Sequence, residues 1–259
     1  MSEFIRIHVQ PALEGASLVA SFEGWNDAGE AASHAVGYLA HAISSVPLAD
    51  IDGEEFLDFT VRRPDVRVDE LGRRAIDWPM TRFSYGSLDA SREVVLVQAI
   101  EPHLRWRRYC EVFADFVTQL GVKRVVLLGS FVADVVYSRP VNVAGYASTP
   151  ELLEQIAVIE SPYEGPTGIV GVLGERLLRD GVELVSLWAG LPHYITASPN
   201  PRGALALIEK LSSCLDIKID LEPLRRDASA FEDKISALVS ADPELSEYVR
   251  QLKRREFAQ

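Results

Sequence analysis

Glu101-Pro102-His103-Leu104-Arg105-Trp106 is the richest grouping of chemically capable side chains in the sequence. It follows an apolar run, so a carboxylate, an imidazole and a guanidinium would stand together at the carboxyl end of a strand. There His103 could act as a general base and Arg105 could hold an anion. Gly24-Trp25-Asn26-Asp27-Ala28-Gly29 follows another apolar run and precedes an alanine-rich helical pattern. That is where α/β proteins place ligand loops. Its spaced glycines resemble half a phosphate loop, but Glu30-Ala31 stands where a nucleotide loop needs Lys and Ser or Thr, so no Walker-type site is encoded. Asp27 is equally suited to cap the following helix by accepting backbone N–H bonds.

Three further loops carry polar groups. Gly129-Ser130 leads to Tyr137-Ser138-Arg139-Pro140, and Trp188-Ala189-Gly190-Leu191-Pro192 leads to His193-Tyr194. Ser130 lacks the Gly-x-Ser-x-Gly elbow, which leaves a triad with His193 and Asp27 without a basis. Tyr163-Glu164-Gly165-Pro166-Thr167-Gly168 precedes a helical pattern over 169–179, where glycine-flanked N–H groups could form an anion nest around Thr167 or simply a tight turn. Gly168, Gly171 and Gly174 are spaced for close packing and miss the dinucleotide fingerprint. Among His8, His34, His41, His103 and His193 there is no zinc-type spacing, although His34 and His41 could share a helix face. The candidate ligand or interface residues are therefore Trp25, Asn26, Asp27, Glu101, His103, Arg105, Arg139, Thr167 and His193. No catalytic centre is complete, and neither a metal nor a cofactor is expected.

Composition narrows the partners. A formal net charge of −12 repels phosphate backbones and anionic lipid, which argues against nucleic acid and membrane surfaces. The basic run Lys253-Arg254-Arg255 reads as a solvated helix end. Hydrophobic residues at 47% and charged residues at 25% fit a fully folded globule. Cys110 and Cys214 form no Cys-x-x-Cys pair, and neither a signal-like start nor a membrane-length apolar stretch is present, so a reducing, cytoplasmic setting is expected.

These loops must be positioned by a sheet. The runs 18–22, 94–97, 125–128 and 184–188 read as buried strands. Tyr109, Val112, Phe113, Phe116 and Leu120 recur at helical spacing before Gly121, and Pro201 opens a second helix through Leu205, Ile208, Leu211 and Leu215 that should lead into a strand at 217–219. The segments 55–60 and 81–85 look like edge or hairpin strands. Alternation of strand and helix predicts an α/β fold, a three-layer α/β/α sandwich on a mixed, largely parallel sheet. Phe231, Ile235, Leu238 and Val239, then Asp242-Pro243 and Leu245, Tyr248, Val249 and Leu252, predict a C-terminal helical hairpin. The expected division is a core over 1–222 and a helical extension over 223–259.

Phe22 to Gly29, Glu101-Pro102-His103, Ser138-Arg139-Pro140, Gly165-Pro166-Thr167-Gly168 and Pro192-His193-Tyr194, continued by Pro199-Asn200-Pro201, Ile219-Asp220-Leu221 and Glu247-Tyr248-Val249, resemble the bacterial branch of the proteasome-assembly-chaperone-2 family in order and spacing. The resemblance implies a phosphorylase/hydrolase-like fold and self-association into a homo-oligomer such as a trimer. It also implies a protein partner, for a non-catalytic, assembly-chaperone-like module. Family members that dock on proteasome subunits use a terminal hydrophobic-Tyr-x motif, whereas this sequence ends Phe257-Ala258-Gln259, an expectation against such docking. The alternative is a phosphorylase- or hydrolase-like enzyme or binder of a small molecule, with a pocket at the strand carboxyl ends.

Overall fold

A computed structural model describes residues 3–13, 15–89 and 92–257; Ala258 and Gln259 of the terminal tripeptide lie outside the described residues. In chain order the strands are β1 (Ile5–Ile7), β2 (Ser17–Glu23), β3 (Val46–Ile51), β4 (Asp65–Val68), β5 (Arg74–Asp77), β6 (Thr81–Ser87), β7 (Glu93–Ile100), β8 (Arg124–Ala133), β9 (Val143–Ala147), β10 (Ile159–Glu160) and β11 (Glu183–Pro192). The α-helices are α1 (Ala31–Ala42), α2 (Trp106–Gln119), α3 (Pro150–Gln155), α4 (Ile169–Arg179), α5 (Pro201–Leu215), α6 (Glu222–Ala241) and α7 (Pro243–Phe257).

Nine strands form one sheet in the order β1-β3-β6-β7-β2-β8-β11-β9-β10, and β4 and β5 form a separate two-stranded hairpin. The four apolar runs are its parallel centre, β7-β2-β8-β11, flanked by antiparallel β6 and β9. These strands are apolar almost throughout because both faces are covered. Leu18, Ala20, Phe22, Val95, Val97, Val125 and Leu127 face a core completed by α2 and α4. Val19, Val94, Leu96, Val126 and Leu128 face the opposite core, completed by α1, α3 and α5. The predicted sandwich is thus present, with Gly121 at φ +70° just beyond α2, where a side chain would be strained.

Two predicted strands are corrected. Residues 55–60 form turns: the Phe56 ring is buried between Phe4 and Tyr109, and its carbonyl accepts from the N–H groups of His103 and Leu104. Ile217 is buried in the second core, but 217–219 is irregular linker without a sheet partner, the Ile217 N–H donating to Ser212 O. An apolar side chain needs burial, which a linker lying on the core also provides.

The C-terminal hairpin forms as expected. Asp242 Oδ1 accepts from the N–H groups of Glu244 (2.9 Å) and Leu245 (3.1 Å) and so caps α7. Ile235, Val239, Val249 and Leu252 form a third core with Val136, adjoined by Tyr137, Tyr194 and Tyr248. Leu238, assigned to the same face by spacing, is exposed.

Phe113 is fully buried and meets the rings of Phe22, Phe83 and Tyr109 at 5.4–6.3 Å between centroids. Phe113→Ala is expected to cost about 3–5 kcal/mol, measured by urea unfolding, because the surrounding rings close only part of the cavity.

Candidate functional site

The parallel strands β2 and β7 end side by side while β8 runs on beyond them, and the loops that leave the three strands carry most of the candidate residues. Asn26 is fully buried. Its Nδ2 donates to Glu101 Oε1 at 2.7 Å, and the same oxygen accepts the N–H of Ile169 at 2.8 Å. Glu101, leaving β7, therefore caps the first turn of α4, where backbone N–H groups have no partner within the helix. Gly168 permits the approach, since a Cβ there would overlap the Asn26 carboxamide. Asn26 Oδ1 is buried without a hydrogen-bond partner.

Asp27 caps the other helix. A short 3₁₀ turn over 28–30 intervenes, and beyond it Asp27 Oδ1 accepts from the N–H groups of Ala32 at 2.7 Å and Ser33 at 3.3 Å. Ser130 Oγ donates to Ala28 O at 2.8 Å and lies 3.4 Å from Asp27 Oδ1. Ser130 N–H donates to Asn26 O at 2.9 Å, fastening the end of β8 to the loop after β2. Burial pushes the Asp27 carboxyl above its usual 3.8, against the hydrogen bonds from Ser33, Ala32 and Ser130 that favour the charged form.

The other candidates lie in separate bonding groups. His103 is exposed; its Nδ1 accepts the N–H of Asp58 at 2.9 Å, so it holds the turn over 55–60. Arg105 pairs with Glu55 of that turn. Arg139 pairs with Glu256 of α7 at 3.1 Å. His193 Nδ1 lies 3.0 Å from Asp134 Oδ1, and its ring meets Tyr194 and Tyr248 edge-on. His193 N–H donates to Ala133 O, three residues along β8 from Ser130, a strand distance of roughly 10 Å. Ser130, His193 and Asp27 thus form no relay. Thr167, just before α4, is exposed. Among the described residues no cluster of three or more His, Cys, Asp or Glu could hold a metal, and no helix is long and apolar enough to cross a membrane.

With Asn26, Asp27 and Ser130 turned inward, apolar groups face out. Trp25 is 60% exposed, Phe131 42% and Val132 61%, at the ends of the adjacent strands β2 and β8. Phe131 and Val132 escape sequence reasoning because Gly129-Ser130 imitates a strand end. In fact β8 continues to Ala133, paired with β11 through Pro192, while its pairing with β2 stops at Leu128 and an isolated bridge joins Ser130 to Asp27 beyond β2.

The fold and this junction define a three-layer α/β protein whose strand-end polar groups cap its own helices. The PAC2 family profile matches residues 21–239, and the chain belongs to the PAC2 family. A PAC2 family protein from Streptomyces avermitilis is similar at 44% identity over 90% of this chain and 99% of that one, with a TM-score of 0.84. A proteasome-assembly chaperone homologue from Mycobacterium tuberculosis is 39% identical over 90% and 99% of the two chains, with a TM-score of 0.82. An uncharacterized protein of Methanocaldococcus jannaschii is 28% identical over 129 residues, which span 48% of this chain and 52% of that protein's length.

Burial of the Asp27 carboxyl sets a sign for its pH dependence. A carboxyl whose folded pKa lies above its unfolded 3.8 binds its proton more tightly in the folded state. Its contribution to stability is therefore greatest below pH 3.8 and is lost as pH rises through the raised value. The stability of the wild type relative to Asp27→Asn, followed by urea unfolding, should fall as pH is raised from 3.8 and level off once the buried carboxyl is ionised. A difference that grows with pH over this range would contradict the burial argument.

Proposed function

We propose that this protein is a non-catalytic, assembly-chaperone-like module that binds a protein partner and self-associates, with a trimer the state implied by the resemblance and the cytoplasm the setting implied by composition. The observation that carries this reading is the rim at the end of β2 and β8. Here an α/β enzyme would present polar groups to a ligand. In this chain Asn26 and Asp27 are buried and bonded into the helix starts, while Trp25, Phe131 and Val132 face outward. Exposed aromatic and branched side chains around one strand end, Phe131 and Val132 on its two faces, favour a protein surface over a reacting one. Similarity to a proteasome-assembly chaperone homologue supports the same class of role.

The rival pocket shared by Asp27, His103, Arg139, Thr167 and His193 requires these groups to meet a ligand together. Four of them are instead bonded to different elements: α1, the turn over 55–60, α7 and the loop after β8. We take 1–222 as the α/β core and 223–259 as an extension whose helices pack on the loops after β8 and β11.

Sedimentation velocity tests the self-association. The wild type is expected to sediment as more than one chain, and Trp25→Asp with Val132→Asp as a single chain with an unchanged circular dichroism spectrum, since both side chains are exposed. A monomeric wild type, or a double variant that keeps the wild-type mass, would overturn this surface. Affinity capture that recovers only the protein itself across several lysates would remove the assembly role.

A further inference from the structure

The face of the sheet covered by α1 changes character before the strands end. Along it Val19, Val94 and Leu96 are buried and apolar. One step further, Arg82 is the register partner of Gln98 across β6 and β7, and Gln98 is the partner of Ser21 across β7 and β2. Arginine, glutamine and serine therefore form a polar row across three adjacent strands of an otherwise apolar face. Gln98 is exposed although it lies within the central sheet. Ser21 is buried, and its hydroxyl has no hydrogen-bond partner. Glu23 and Ile100, paired across β2 and β7, extend the same face toward the strand ends.

Arg82 and Gln98 of this row line an open cleft of about 170 Å³, together with Glu23, Arg62, Arg63, Asp65, Asp77 and Trp78. One ordered water needs only ~15 Å³. The arginines are available to a ligand. Arg62 lies 3.4 Å from Glu23, and Arg82 lies 3.4 Å from Asp77, whose other oxygen is taken by Arg67. Both contacts exceed the ~2.7–2.9 Å of a charge-assisted hydrogen bond, and each guanidinium has five N–H groups to offer. Arg63 has no ion pair among the described residues. The cleft therefore holds three guanidinium groups, Arg62, Arg63 and Arg82, beside three carboxylates, Glu23, Asp65 and Asp77, with the Arg62 and Arg82 contacts both long. An oxyanion between them would supply close acceptors to both Arg62 and Arg82, whose carboxylate contacts are each 3.4 Å.

We infer that this cleft is a binding site for a small oxyanion, a carboxylate or a phosphate, held by Arg62 and Arg82 above Gln98 and beside the Trp78 ring. The inference goes beyond the proposed assembly role, because the cleft does not include Trp25, Phe131 or Val132. Its failure would leave that role untouched.

Titration of the full chain with succinate and, separately, with inorganic phosphate, followed by tryptophan fluorescence and calorimetry, tests it. Saturable binding to at least one anion is expected, with the fluorescence change lost in Trp78→Phe. Arg62→Gln with Arg82→Gln should weaken the binding at least tenfold while leaving the melting curve and the sedimentation behaviour unchanged, since both arginines are largely exposed. Binding of succinate alone would identify a carboxylate ligand, and of phosphate alone a phosphate. No saturable binding of either anion up to about 10 mM, or binding that survives the double substitution, would overturn the site.

Discussion

Glu101 leaves β7 at the point where α4 begins, and a single carboxylate oxygen receives both the Ile169 N–H and the Asn26 carboxamide. The start of a helix has N–H groups that its own turns cannot satisfy, and a negative charge placed there also meets the favourable end of the helix dipole. The bond therefore fixes α4 against the sheet, and through Asn26 it fixes the loop after β2 as well. Gly168 is part of the same constraint, because any side chain there would occupy the place of the Asn26 carboxamide. Asp27, one position further, does for α1 what Glu101 does for α4. Two acidic residues at neighbouring strand ends thus aim the helices that cover opposite faces of the sheet, and the outward position of Trp25 follows from the inward commitment of its neighbours.

Parity along the strands distributes everything else. Even-numbered residues of β2 face α2 and α4, and odd-numbered ones face α1. The alternation is hidden in the sequence because both faces are buried, which makes the four central runs easy to find and their two sides hard to tell apart. Helices were legible for the opposite reason. The apolar stripe of α2 and the start of α4 at Ile169 stand out against polar neighbours. The segments 55–60 and 217–219 misled because an apolar side chain reports burial and says nothing of backbone pairing. Phe56 is buried under a turn held by His103, and Ile217 under a linker.

At the site, residue types and loop positions were readable, whereas partners were not. That Asp27 caps a helix was foreseeable from its place before an alanine-rich pattern, and the structure makes it so across an intervening 3₁₀ turn. Glu101 and His103 look like a pair in the sequence but turn to different partners, one to α4 and Asn26, the other to Asp58. Adjacent positions after a strand leave in different directions, and only tertiary contacts decide which neighbour each meets. His193 shows the same limit. Its pairing with Asp134 and its contacts with Tyr194 and Tyr248 serve to seat α7, a role no local spacing announces.

The row Arg82-Gln98-Ser21 is not visible in the sequence for a related reason, since its members come from different strands and become neighbours only through register. A polar row on the face of a central sheet is costly if dry, because an unpaired buried hydroxyl loses its bonds to water. It persists where water or a ligand can reach the adjoining groups, and the open cleft over Gln98 and Arg82 gives that access. Phe131 belongs to the opposite parity of β8 and so lies on the other face of the sheet. The molecule therefore presents chemically different surfaces, one polar and charged over Gln98 and Arg82 and one apolar where β8 outruns β2. The cleft is lined by none of Trp25, Phe131 and Val132, so a substitution on one surface leaves the lining of the other unchanged.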